Sequence, residues 1–338
     1  MKGYIRSRIV TKVNEILIKR GFFRLLFPSE IFLHLNSACN AKCSMCPIGR
    51  KNADSEFYKL NMTKGNMSRE TFENLIIQIK GRGINLSFKN TEALIHPDID
   101  YFLALCKKNK IDCSLTTNGL LLEKHAEAIV KNGVKGLQVS INGYKELHDK
   151  VIGIPGAYEK STAGIKAVNE YKKKYASENP KIKIRMTISP DNYEQLEKSA
   201  EDISNIEGIN SITITHLEFT ENKFKFDLQK MREQTEKVKE LDRNISIKPE
   251  FSYDELKKYY ETFDIMPKQS RCKCTYKSLA VFANGDTGQH VRCFSTFFGN
   301  INKMRIFDIW NSEKMINFRK DLWKKDLPKF CRRCCGVL

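Results

Sequence analysis

The chain has 338 residues, 41% of them apolar and 29% charged, the composition of a globular protein long enough for a large α/β core with a smaller module appended. No run approaches 18 consecutive apolar residues, which excludes a membrane-spanning helix, and the N-terminus lacks the apolar core and cleavage site of a signal peptide, so a cytoplasmic protein is expected. The formal charge of +18 suits a phosphate, a nucleotide-linked substrate, nucleic acid or an anionic membrane, and equally a solubilising surface; by itself it selects none of them.

Residues 1–30 are basic and partly amphipathic, with Ile9, Val13, Ile16 and Leu17 near helical spacing. A helix that covers one end of the fold is predicted; a weak contact with a membrane surface or a partner is the other reading. From residue 31 strands and helices alternate. Strands are predicted at 31–35, 84–88, 111–115, 134–141, 183–188 and 209–214. The intervening helices carry Phe72, Leu75, Ile76 and Ile79 on one face, then Ile99, Phe102, Leu103 and Cys106. Further helices follow at 122–131, 157–176 and 192–204. Six such units imply the α/β class, a parallel sheet curled by right-handed crossovers into a partial (β/α)6 TIM-like barrel. Functional loops then belong at the carboxyl ends of the strands. Residues 217–270 are highly charged, with surface helices predicted at 228–241 and 253–263. The expected division is a basic N-terminal capping segment (1–30), the barrel (31–216), a charged helical bridge (217–270) and a small cysteine-rich C-terminal domain (271–338).

Eleven cysteines, an odd number with no secretion signal, argue against a disulfide framework. Cys106 and Cys113 read as small core residues. Cys39, Cys43 and Cys46, spaced C-x3-C-x2-C just after the first predicted strand, can hold three corners of a [4Fe-4S] cube and leave the fourth iron open to a small molecule. Zinc with a distant fourth ligand is the alternative on spacing alone. A second set, Cys272, Cys274, Cys293, Cys331, Cys334 and Cys335, contains a G-x4-C segment and a closing C-x2-C pair. Four of these thiolates could hold one complete site, with zinc again the alternative. His34 and His148 either organise their loops or act as acid–base groups.

The run around Cys39, Cys43 and Cys46 resembles the signature of the radical S-adenosylmethionine (SAM) superfamily. That resemblance implies that the open iron binds SAM, which a reduced cluster cleaves to methionine and a 5′-deoxyadenosyl radical that abstracts hydrogen from substrate. It further implies that Met45 packs beside the adenine. Glu92, in Asn90-Thr91-Glu92-Ala93 where the family usually has Gly-Gly-Glu-Pro, would accept from the SAM ammonium group. Asn118, in Thr116-Thr117-Asn118-Gly119, and Ser140 and Asn142, in Ser140-Ile141-Asn142-Gly143, match further cofactor-contacting segments, Asn142 replacing an acid. Arg185 would pair with the SAM carboxylate, and Ile214 would line the adenine.

The C-terminal set resembles the short "twitch" auxiliary-cluster module related to the SPASM domain. It implies one auxiliary [4Fe-4S] cluster held by Cys272, Cys293, Cys331 and Cys334, with Cys274 and Cys335 as substitutes. Such a cluster could accept the electron left after hydrogen abstraction, giving an oxidoreductase. A low-potential donor such as flavodoxin or ferredoxin is the expected reductant. The substrate expected is small, polar and anionic, of sugar, aminocyclitol or nucleotide-sugar type. The alternatives are a peptide-modifying maturase, although about 30 residues before the barrel are few for a leader-binding domain, and a non-catalytic iron–sulfur protein. Nucleic acid is not expected, since no RNA-binding fold or basic patch interleaved with aromatics is present.

Overall fold

The structure, a computed structural model, describes residues 2–55, 57–59, 64–218, 224–241, 244–262, 272–290, 293, 296–324 and 331. Its strands are β1 (Glu30–Leu33), β2 (Asn85–Phe88), β3 (Cys113–Thr117), β4 (Gly136–Ser140), β5 (Lys181–Thr187), β6 (Ser211–Thr215), β7 (Ile245–Lys248), β8 (Ser278–Val281), β9 (Asp286–Gly288) and β10 (Phe297–Asn300). Contacts divide the chain into two units. The first comprises Met1–Ala38, Lys59–Leu115 and Pro267–Leu338; the second comprises Cys39–Tyr58 and Thr116–Met266. Packing therefore groups the N-terminal segment and the cysteine-rich C-terminus with the first three strands.

In the first unit, β8, β1, β2 and β3 run parallel, and β9 and β10 extend the sheet antiparallel beyond β8. Ile31 pairs with both Leu86 and Leu279 and is fully buried, as a strand covered on both faces requires. In the second unit, β4, β5, β6 and β7 are all parallel. The six predicted strands are present, with ends shifted by one or two residues.

Several elements were not predicted, among them the C-terminal helices Ile306–Trp310 and Glu313–Lys324 and two further ones. Residues read as a loop around His148 form the helix Lys145–Ile152, which buries Leu147, His148, Val151 and Ile152. The signal was i, i+4 spacing interrupted by charge, ended by Gly153 in the left-handed conformation. In the charged bridge, Ile245 and Ile247 alternate with Ser246 and Lys248 to make β7, a run too short to stand out in its surroundings.

The N-terminal helix, Lys2–Lys19, turns a different face inward from the one its hydrophobic spacing suggested. Ser7, Val10, Asn14 and Ile18 are buried, whereas Ile9 and Ile16 are exposed. Hydrogen bonds set this rotation. Asn14 Nδ2 donates to the carbonyls of Phe27 (2.9 Å) and Tyr276 (3.1 Å), its Oδ1 accepts from Leu26 N–H (2.9 Å), and Ser7 Oγ donates to Ser29 O (3.1 Å). Buried polar groups must be paired, and here that requirement outweighs the burial of isoleucines.

Candidate functional site

The cysteine loop belongs to the second unit and leans on the end of helix Lys145–Ile152. Lys42 N–H donates to Ile152 O (2.9 Å) and Ser44 N–H to Val151 O (3.0 Å). The carbonyls used are those a helix C-terminus leaves without intrahelical partners. Beyond Cys43 the chain coils tightly: Cys46 N–H donates to Cys43 O (3.1 Å) and Arg50 N–H to Cys46 O (3.0 Å). A Cβ on Gly49 would lie 2.5 Å from Cys43 N, so only glycine fits. Ser44 Oγ donates to Asp191 Oδ2 (2.6 Å), whose other oxygen pairs with Lys150 at 3.2 Å.

The three cysteines are partly buried. Burial pushes the Cys46 thiol above its usual pKa, opposed by backbone N–H groups of Gly49 and Ile48 that donate to its sulfur. Asn118 Nδ2 lies 3.8 Å from Cys39 Sγ and donates to Asn40 Oδ1 at 2.7 Å. N–H donors aimed at cysteine sulfurs suit thiolates that ligate a cluster, and such donors tune its potential. Among the described residues no three His, Cys, Asp or Glu side chains already close into a metal cage, so the fit rests on this donor set.

Across the sheet, Ser140, Arg185, Thr213 and Ser246 are paired residues on one face of β4–β7, all partly buried. Arg185 Nε donates to Thr215 Oγ1 at 3.3 Å. Ile214 pairs with Met186 and is fully buried on the opposite face. Its side chain cannot share the Arg185 face, because strand side chains alternate; Thr213 and Thr215 occupy that face instead. Asn142 joins strand ends: its Oδ1 accepts from Thr187 N–H (2.9 Å), and its carbonyl accepts from Asn192 Nδ2 (2.8 Å). His148 organises the same corner. Its Nδ1 accepts from Asn142 N–H at 2.9 Å, and burial lowers its pKa to about 4, which favours the neutral ring near pH 7.

In the first unit, Glu92 is buried, and its carboxylate accepts from Leu94 N–H (3.1 Å), capping the short helix Ala93–Ile95. Its carbonyl accepts from Asn36 Nδ2 at 2.8 Å. Asn90, standing where the family usually carries glycine, has φ +96°, a left-handed conformation. Its Nδ2 lies 2.7 Å from His34 Nδ1, and the His34 ring packs on Phe282 at 4.7 Å. His34 thus steadies a residue in a glycine-like conformation, a role that only the fold reveals.

Cys272 and Cys331 are buried with Leu322, and Cys274, Phe318 and Trp323 pack against them. Burial, reinforced by Cys274, pushes the Cys331 thiol up to about 11. Cys293 is buried in the same unit; Cys334 and Cys335 lie outside the described residues. The turn after Cys272 is fixed by side chains that the sequence did not single out. Arg319, fully buried, donates to Thr275 O (2.9 Å) and Phe23 O (3.0 Å), with its guanidinium 4.0 Å from the Trp310 ring centroid. Gln289 Nε2 donates to the carbonyls of Cys274 (2.7 Å) and Ser278 (2.6 Å).

Beyond β6, aromatic residues gather. Tyr260 O–H and His216 Nδ1 are 3.0 Å apart, and Tyr259 O–H donates to Leu217 O at 3.0 Å. A π-helical turn, Lys258–Thr262, buries both tyrosines. Tyr260 borders a cavity of about 700 Å³ also lined by Phe224, Lys225, Phe226, Leu228, Glu261 and Thr262. Phe224 and Phe226 also pack with Met45 and Leu217, which joins this wall to the cysteine loop.

Residues 34–203, half of the chain, match the model of the Radical SAM superfamily, and the chain belongs to that family. Residues 272–335 match the SPASM iron–sulfur cluster-binding domain. The SAM-binding [4Fe-4S] cluster, the auxiliary cluster and the partial-barrel α/β fold accordingly stand as expected. Members of this family are enzymes. The chain is 28% identical over 177 residues to the AdoMet-dependent heme synthase of Methanosarcina barkeri (52% of this chain, 46% of that protein). It is 31% identical over 111 residues to the GTP 3′,8-cyclase of Chlorobaculum tepidum (32% of this chain, 31% of that protein). The matches thus span less than half the length of these curated relatives. Streptococcus suis SuiB, solved bound to precursor peptide SuiA, superposes with TM-score 0.65 at 20% identity, covering 90% of this chain and 68% of that one, a likeness of fold. No helix among the described residues is long and apolar enough to cross a membrane.

Proposed function

We propose that this chain is a radical SAM oxidoreductase that removes hydrogen from a small polar, anionic substrate of sugar, aminocyclitol or nucleotide-sugar type. The partly buried three-cysteine loop, with N–H donors on its sulfurs, carries the reading. Cys39, Cys43 and Cys46 hold the first cluster, and the buried C-terminal cysteines hold the second. When bound, the first cluster and SAM supply a 5′-deoxyadenosyl radical, and the auxiliary cluster supplies an electron acceptor. Arg185 binds the carboxylate of SAM, Ser140 its carboxylate or ribose, Glu92 accepts from its ammonium group, and Met45 packs apolar surface beside its adenine. Substrate enters beside Met45, where Phe224, Phe226 and Tyr260 exclude water and Lys225 meets an anionic group. One hydrogen atom, one electron and one proton leave the substrate, a two-electron oxidation such as alcohol to ketone.

A peptide substrate is the second reading. SuiB is bound to a precursor peptide, and a cavity with aromatic walls also suits a peptide side chain. Anaerobic assay with phosphorylated sugars, nucleotide sugars and peptides, deuterated at carbon, separates the two. Deuterium appearing in 5′-deoxyadenosine from a sugar supports the first reading, and from a peptide alone the second. Full cluster loading with no cleavage of SAM under several reductants would sink both.

A further inference from the structure

The N-terminal helix buries Ser7 and Asn14 together with Val10 and Ile18, and leaves other isoleucines exposed. Five of the eight large apolar side chains exposed among the described residues lie in the chain's first 26 positions, three of them on this helix (Ile5, Ile9 and Ile16) and two beyond it (Phe22 and Leu26), at 42% to 59% exposure. At about 100° per residue, Ile5, Ile9 and Ile16 fall within about 40° of one another around the helix. Exposed Arg8, Lys12 and Lys19 flank that stripe on one side and Arg20 on the other, with Arg24 just beyond the helix. Glu15 is the one acid between Lys2 and Ser29, and it is held as the carboxylate by Lys19 and Lys12.

Rotating the helix to bury the isoleucines would strand Asn14 and Ser7, whose hydrogen bonds fix it. The outward stripe is therefore a consequence of anchoring and is available for a second contact. We propose that this face is a peripheral binding surface for anionic lipid, with the isoleucines and Phe22 entering the headgroup boundary and the surrounding Arg and Lys meeting lipid phosphates. Charge complementarity selects this occupant: an apolar stripe bordered by cations on both sides matches an anionic bilayer, whereas a second copy would bring like charges together.

The test is co-sedimentation of the full-length, cluster-loaded protein with vesicles of phosphatidylcholine alone and of phosphatidylcholine mixed with phosphatidylglycerol. Wild type is expected to sediment with the mixed vesicles at low salt and to be released as salt rises. The Ile9→Glu/Ile16→Glu variant should bind about tenfold more weakly or less, and Arg20→Gln/Arg24→Gln, which leaves the apolar stripe intact, should also weaken binding. Iron content and melting temperature check that each variant is folded. Absence of binding to mixed vesicles, or equal binding by the Glu variant, overturns the proposal. So does a dimer in analytical ultracentrifugation that Ile9→Glu/Ile16→Glu splits, which would assign the stripe to a second copy of the chain.

Discussion

The two cysteine sites solve opposite problems. Cys39, Cys43 and Cys46 fall within eight consecutive residues on a loop held by backbone hydrogen bonds, and all three remain only partly buried. Cys272 and Cys331 come from distant segments and are buried under Leu322, Phe318 and Trp323. A site that must admit a cofactor and substrate keeps one side open. A site that only passes electrons or braces the fold can be sealed by side chains. Local spacing builds the first, and tertiary packing builds the second.

The largest effect should come from emptying either site. A Cys39/Cys43/Cys46→Ala variant should lose about four of about eight irons and form no 5′-deoxyadenosine. Cys331→Ala should lose the other irons while the first site stays loaded, as iron analysis and electron paramagnetic resonance of the reduced protein would show. If Cys331→Ala emptied both sites, the contrast between local and tertiary assembly would fail.

Gly49→Ala sharpens the comparison. Its Cβ would collide with the Cys43 backbone, so most iron at the first site should be lost while the auxiliary site keeps its own. Arg319→Leu is the counterpart in the C-terminal module. It leaves the carbonyls of Thr275 and Phe23 without their donor and should cost about 3 kcal/mol of stability in urea titrations, with the first site still loaded.

His148 gives a pH-dependent test. Its folded pKa of about 4 lies below the unfolded value of about 6.5, so the unfolded chain binds the extra proton between those values. Stability is therefore greatest above pH 6.5 and falls towards pH 4, by up to about 3 kcal/mol from this residue. Replacing His148 with Gln should flatten that part of the profile in denaturant titrations; an unchanged slope would show that the proton is taken elsewhere. The smallest effect is expected for Asn90→Gly, which relieves φ +96° and gives up the His34 contact, for a net change within about 1 kcal/mol.

Most of the chemistry was legible in the residues alone. The spacing of Cys39, Cys43 and Cys46 after an apolar strand, and the alternation of six strands with helices, are local patterns that survive without knowledge of the partners. Helix Lys145–Ile152 and β7 were missed because charged residues dilute short patterns. Which face of β6 Ile214 occupies is not legible from its number; the register with Met186 sets it opposite the Arg185 face. The glycine-like Asn90, the neutral His148, the buried Arg319 and the outward stripe of Ile5, Ile9 and Ile16 belong to tertiary structure. Each depends on hydrogen bonds or packing between segments far apart in the chain. Spacing along the sequence specifies ligands, whereas burial, side-chain rotation and pKa depend on what the folded chain brings alongside.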